Sequence, residues 1–117
     1  AFELVWRNDG LSRPDDMRPE GFPEENRMQS RIIAFDPPRL LTIAWGEGEV
    51  SFTLEPKGER VLLTLVHSGM DMDWRLQIAA GWTMHLDIMA AEAEGRQPES
   101  FWSGWQQRKA IYAERLT

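Results

Sequence analysis

The sequence predicts an α+β protein in which an antiparallel meander sheet of about five strands grips one long helix, with a further helix at the C-terminus. Up to about His67, apolar and polar residues alternate, which is the period of a strand with one buried face. After Met72, apolar residues recur every three or four positions, which is the period of a helix. Short turns join the strand-like segments, so neighbouring strands must run antiparallel.

The strand pattern is clearest in the fourth segment, where Val50 and Phe52 share one face and Ser51 takes the other. Residues 11–26 are rich in proline and acidic side chains, and they predict a mobile loop at the edge of the sheet. The five predicted strands are residues 2–6, 27–35, 40–45, 50–54 and 61–67.

Two helices are predicted after the sheet. The first runs from about residue 73 to residue 94, with Asp73 as its N-cap and Gly95 as the residue that ends it. The second begins near Pro98, which suits a first helical turn. The stripe predicted to be buried on the first helix is Ile78, Trp82, Leu86, Met89 and Ala93. The corresponding residues of the second helix are Phe101, Trp105, Ile111, Tyr112 and Leu116.

Composition excludes several functional classes. The net charge is −6, from 13 basic and 19 acidic residues, and no basic stripe is present, so nucleic acid is not an expected partner. No apolar run approaches the ~20 residues of a membrane span. Cysteine is absent, and histidines and carboxylates do not converge, so neither a metal nor another cofactor is expected. No leader is recognisable, and the expected location is the cytoplasm.

Alternate residues of each strand share one face of the sheet, and the apolar stripe of the long helix would face them. Together these two patterns select residues that would line a cavity between the sheet and the long helix. Core filling is the simpler role for most of them, because large aromatic side chains dominate protein cores. His67 and His85, with Thr42 and the indole N–H groups, are the polar groups that could orient a ligand there. The candidate lining residues are Trp6, Trp45, Phe52, Leu65, His67, Trp82, His85 and Met89.

A series of short motifs carries a family resemblance. They are residues 33–41 (IAFDPPRLL), Trp45-Gly46, residues 50–56 (VSFTLEP), residues 63–69 (LTLVHSG) and Ala80-Gly81-Trp82. In this order and spacing, they resemble the family of activator of heat-shock protein 90 ATPase homologues. That family belongs to the START-like (SRPBCC) helix-grip superfamily, which also holds polyketide cyclases and lipid-transfer domains.

The resemblance implies a single START-like domain over residues 1–117. It runs from residue 1 to about residue 95, and residues 96–117 look like a C-terminal helical extension. Members of the family begin with another strand and two short helices, which have no counterpart ahead of Ala1. A sheet without that segment would keep an exposed edge, which favours a homodimer.

Three functions are open at this point. The first is binding of a small hydrophobic molecule without catalysis, which needs no catalytic residue. The second is an enzyme of cyclase or hydrolase type, with His67 or His85 as acid and base. The third is a co-chaperone-like interaction module, with Trp74, Trp102 and Trp105 as an exposed patch and a chaperone as partner.

Overall fold

The computed structural model describes residues 1–115, and their secondary structure is that of the α+β class predicted from the sequence. The described chain holds six strands and two α-helices. It divides into two compact units. The first consists of residues 1–5 and 27–70, and the second of residues 6–26 and the chain from residue 71 onward.

The strands lie in the first unit, except for two residues at strand ends, Trp6 and Asn26, which belong to the second. The strands are β1 (Phe2–Trp6), β2 (Asn26–Ser30), β3 (Ile32–Asp36), β4 (Leu40–Trp45), β5 (Gly48–Lys57) and β6 (Arg60–Ser68). Strands β1 and β2 form a two-stranded sheet, and β3 to β6 form a four-stranded sheet in sequential order. The pairs β3–β4, β4–β5 and β5–β6 are all antiparallel, so this sheet is the predicted meander.

The predicted strand over residues 27–35 is in fact two strands in two sheets. The break falls at Arg31, whose carbonyl accepts the backbone N–H of Ala44 at 3.0 Å. Beside it, the Ser30 hydroxyl donates to the Ala44 carbonyl at 2.6 Å, and the register of β3 shifts between Ile32 and Ala34. A side-chain bond and a bulge therefore redirect the chain within a segment that was predicted to be a single strand.

The helices belong to the second unit. Helix α1 is Arg75–Ala93 and helix α2 is Phe101–Arg115. A 3-10 turn, Met72–Trp74, precedes α1 and is capped by Asp71, whose carboxylate accepts the Asp73 N–H at 2.9 Å. The prediction of Asp73 as the helix N-cap was therefore wrong, because the preceding acid holds the turn.

The two predicted helix boundaries near residues 95–98 have different outcomes. Gly95 ends α1 as predicted: its φ is +72°, its N–H donates to Glu92 at 3.3 Å, and the Arg96 N–H donates to Ala91 at 2.8 Å. This pair of bonds is a Schellman motif. The prediction that α2 begins near Pro98 was wrong, since its first residue is Phe101 and Pro98 lies in the connection.

The core of the second unit is formed where α1 packs against α2. On α1 the buried residues differ from the predicted stripe, in which Met89 is 52% exposed and Ala93 is also exposed. Leu116, which was predicted on the buried face of α2, lies outside the described residues. The buried cluster is Ala80, Met84, Ile88, Phe101, Trp102 and Trp105.

No helix within residues 1–115 is both long and apolar enough to cross a membrane.

Candidate functional site

One face of the four-stranded sheet carries half of the candidate residues. Cross-strand register aligns Val50 with His67 and Phe52 with Leu65, and it also aligns Ile43 with Val50. Residues directly opposite each other share a face, with Cβ atoms about 5 Å apart. Val50 and Ile43 are buried, whereas Phe52, Leu65 and His67 are half-buried. We call this surface the aromatic face of the sheet.

Trp45 and His67 meet at one end of the aromatic face. Their ring centroids are 5.7 Å apart with an interplanar angle of 64°, which is an edge-on contact. Burial lowers the pKa of His67 below its usual 6.5, so the imidazole is neutral at pH 7. A neutral imidazole has one N–H donor and one acceptor nitrogen. This end of the face can therefore offer hydrogen bonds without a charge.

A close approach of two backbone segments fixes this end of the sheet. Trp45 pairs with Gly48 across the β4–β5 hairpin, and a Cβ on Gly48 would lie 2.1 Å from the carbonyl oxygen of Ser68. A Cβ on Gly69 would lie 2.7 Å from the Cα of Gly48, and Gly69 has a φ of +75°. The hairpin that carries Trp45 can reach the end of β6 only because both contact residues lack a side chain.

Thr42 does not belong to the aromatic face, although it was counted among the polar groups available to a ligand. Its hydroxyl forms a 2.8 Å hydrogen bond with the hydroxyl of Ser51, its partner on β5. Because successive side chains of a strand alternate, Thr42 lies on the side opposite to Ile43. The alternation of side chains along the strand would have been enough to place Thr42 on that opposite side.

The other four candidate residues lie in the second unit. Trp82 is half-buried and Met89 is 52% exposed, and the two are seven residues apart, on a side of α1 that does not carry Met84 and Ile88. Trp6, also half-buried, is the last residue of β1.

His85 packs against helix α2. Its ring centroid lies 4.9 Å from that of Phe101, and burial lowers its pKa below 6.5. Of the two histidines considered as acid and base, His85 therefore contacts a core aromatic ring and His67 contacts Trp45. Both are neutral at pH 7.

An aromatic cluster joins α2 to residues 8–22, and this connection was not predicted from the sequence. Phe22 makes edge-on contacts with Trp102 and Trp105, with centroids 5.7 and 5.3 Å away. The Trp102 indole donates to Asp9 at 2.8 Å. Trp102 and Trp105 are only 4% and 5% exposed, so the predicted exposed patch of three tryptophans was wrong, and Trp74 alone of them lies at the surface.

The N-terminus of α2 is capped by side chains from a distant part of the chain. The Asp16 carboxylate accepts the Ser103 N–H at 3.0 Å and the Ser100 hydroxyl at 2.6 Å, and the Ser12 hydroxyl accepts the Trp102 N–H at 3.1 Å. The first amides of a helix have no partner within the helix, so these bonds satisfy donors that would otherwise need water. Residues 11–26, predicted to be a mobile loop, are thus bonded to α2.

The bonds to Asp16 affect its ionisation. Burial alone would raise the pKa of the Asp16 carboxyl, but hydrogen bonds from Ser100 and from the backbone and side chain of Ser103, with the nearby charge of Arg13, outweigh it. The net result is a pKa below the ordinary 3.8. A carboxylate at a helix N-terminus is also favoured by the helix dipole.

Asp16→Ala is expected to lower the free energy of unfolding by about 1 kcal/mol at pH 7, the typical contribution of a helix cap. Because the native pKa lies below the unfolded one, this contribution is complete above pH 3.8 and is lost as the pH falls through the native pKa. Urea unfolding of both proteins from pH 7 downward measures the difference, which should shrink in acid. Asp15→Ala, at an exposed neighbour, is the control and should cost little. Equal losses for both variants would contradict the capping role.

A cleft of about 220 Å³ lies in the second unit beside the C-terminal half of α1. Met84, Ile88 and Arg108 are among the residues that line it. The Arg108 guanidinium is already bound to Asp87 at 2.9 Å and to Glu99 at 2.9 Å. These contacts raise the pKa of Arg108 against the effect of its burial, and they leave the arginine engaged within the protein.

Comparison with known proteins adds a family and one related structure. Residues 2–94 match the family described as activator of Hsp90 ATPase homolog 1-like protein. The fold is similar to the solution NMR structure of a protein from Bordetella parapertussis, with a TM-score of 0.74 and 31% sequence identity. That alignment covers 98% of this chain but only 64% of the other. No protein with a curated description matches the chain.

Helix α2 lies outside the matched residues, whereas the sheet and α1 lie inside them. The match therefore covers both the aromatic face and the helix that carries Trp82 and His85. The chain belongs to the family of activator of Hsp90 ATPase homolog 1-like proteins.

Proposed function

We propose that this protein binds a small hydrophobic molecule on the aromatic face of the sheet, without catalysing a reaction. The observation that carries the proposal is the alignment of Trp45, Phe52, Leu65 and His67 on one face, half-buried in each case. Apolar side chains with a few polar groups are typical of small-molecule sites. Family membership is consistent with this function, because it suggests either ligand binding or association with a chaperone.

The polar groups of the aromatic face favour binding over catalysis. General acid–base chemistry would need a group poised to exchange a proton near pH 7 with a bound substrate. Among the residues that the register places on this face of β4 to β6, none besides His67 is a histidine or a carboxylate, so no complementary acid or base lies beside it on these strands. As a neutral imidazole, His67 can donate and accept hydrogen bonds to a ligand. The other candidate residues, Trp6, Trp82, His85 and Met89, belong to the second unit, and the binding proposed here does not depend on them.

The test compares two leucines on β6 that lie on opposite faces. Leu65→Thr places a hydroxyl on the aromatic face, and Leu62→Thr makes the same change on the other face, where Leu62 is 47% exposed. The probe is the uncharged dye Nile red, whose fluorescence rises in apolar surroundings. We expect Leu65→Thr to weaken dye binding about tenfold, since a polar group left without a partner in an apolar site costs 1–3 kcal/mol.

Leu62→Thr should leave dye binding unchanged, and thermal unfolding of both variants shows whether they are folded. Threonine is favourable in strands, so both variants should keep the sheet. The proposed function fails if the dye does not bind, or if both variants weaken its binding equally.

A further inference from the structure

The aromatic face continues along the edge strand β6 as a track of alternate residues. From His67 the track passes through Leu65 and Leu63 to Val61, a distance of six residues. At 3.3 Å per residue this is about 20 Å. On β5, Phe52 flanks the track opposite Leu65.

The track opens to solvent at its far end. Val61 is 63% exposed and Leu54, opposite Leu63, is 40% exposed, whereas Leu63 and Leu65 are half-buried. These exposed side chains continue the row of half-buried ones. The apolar surface of the track is therefore longer than a single aromatic ring. The two ends therefore differ: one has a tryptophan and a histidine, and the other has aliphatic side chains, with Arg39 opposite Leu54.

The charges on these strands disfavour an anionic ligand. Of residues 39–68, the arginines and lysines are Arg39, Lys57 and Arg60. Lys57 and Arg60 pair with each other beside the β5–β6 turn, on the face opposite to the track, whereas Arg39 lies opposite Leu54, on the same face as the track but toward its far end. The residue nearest in sequence to the Trp45 end that bears a charge is Glu47. A carboxylate head group beside His67 would lie near this acid, and four strand residues, about 13 Å, would separate it from the register position of Arg39. A charge held there without a nearby cation is costly when water is excluded.

We propose that the ligand is an elongated, uncharged molecule with an apolar chain and one hydrogen-bonding head group, such as a long-chain alcohol, ester or amide. The head group lies at Trp45 and His67, and the chain follows Leu65 and Leu63 toward Val61. This inference rests on the proposed function and specifies the class of ligand.

Competition against bound Nile red tests the proposed class of ligand directly. Three competing probes are used, each below the concentration at which it aggregates. Tetradecanol has the full chain and a neutral head, octanol shortens the chain, and myristate replaces the neutral head by a carboxylate. Tetradecanol should displace the dye at concentrations at least about tenfold lower than octanol, because it buries more methylene groups. It should also surpass myristate by about tenfold at pH 8, where the acid is ionised.

A variant at the far end of the track tests whether the apolar chain of the ligand extends toward Val61. Val61→Asp should weaken tetradecanol about tenfold and leave octanol unchanged, since the shorter chain does not reach residue 61. Val66→Asp, on the opposite face and 55% exposed, is the matched control and should change neither.

The outcomes separate this inference from the proposed function. Myristate equal to or better than tetradecanol would overturn the uncharged head group, and octanol equal to tetradecanol would overturn the elongated chain. In both cases the dye still binds and still depends on Leu65, so hydrophobic binding on the aromatic face would stand. Loss of that dependence would instead refute the proposed function.

Discussion

Gly48→Ala is expected to destabilise the first unit by about 3 kcal/mol or more. The new Cβ would lie 2.1 Å from the Ser68 carbonyl oxygen and 2.9 Å from the Gly69 carbonyl carbon. Both are backbone atoms, so no side chain can move away, and the β5–β6 ladder must shift at the pairing of Glu49 with Ser68. Urea unfolding followed by circular dichroism measures the loss.

Gly46→Ala is the matched control in the same hairpin. Gly46 has a φ of +59°, but a Cβ there meets nothing within 4 Å. Its substitution should cost only the 1–2 kcal/mol of a left-handed backbone conformation. If the two variants are equally stable, the close approach of the β4–β5 hairpin to β6 does not constrain the sheet as the structure indicates.

Trp102→Ala is expected to cost about 3–5 kcal/mol, the range for truncating a large buried aromatic side chain. The ring contacts Phe22, Phe101 and Trp105, and its indole N–H donates to Asp9. The substitution therefore removes the centre of the aromatic cluster together with a part-buried hydrogen bond. Thermal and urea unfolding, monitored in the near ultraviolet, report loss of packing in the second unit.

Two further variants separate the contributions of Trp102. Trp102→Phe keeps an aromatic ring and removes the indole N–H, so it should cost about 1–2 kcal/mol. Trp74→Ala truncates a tryptophan that is 54% exposed and should change stability by no more than about 0.5 kcal/mol. A similar cost for Trp74→Ala and Trp102→Ala would contradict the assignment of Trp102 to the core.

The parts of the fold that could be predicted are those that neighbouring residues determine. Alternation in residues 40–45, 50–54 and 61–67 depends only on each strand, and all three lie in observed strands. Gly95 ends α1 because its own conformation permits the motif. The division of residues 27–35 could not be predicted, because it depends on a bond between Ser30 and Ala44, 14 residues apart.

The candidate site divides in the same way. Strand parity sufficed to place Trp45, Phe52, Leu65 and His67 on one face. On α1 the period was correct, but apolar residues surround the helix, so periodicity could not tell which side α2 covers. The side that packs on α2 is centred on Met84 rather than on the predicted stripe.

The cap supplied to α2 by distant side chains has a consequence for the order in which the protein is made. The bonds that tie Ser12, Asp16 and Asp9 to α2 join residues 87 to 93 positions apart. During translation, the early segment leaves the ribosome long before its partners exist. Residues 8–22 must therefore wait, with their polar groups in water, until Trp105 has been synthesised, and the second unit closes only after α2 has left the ribosome.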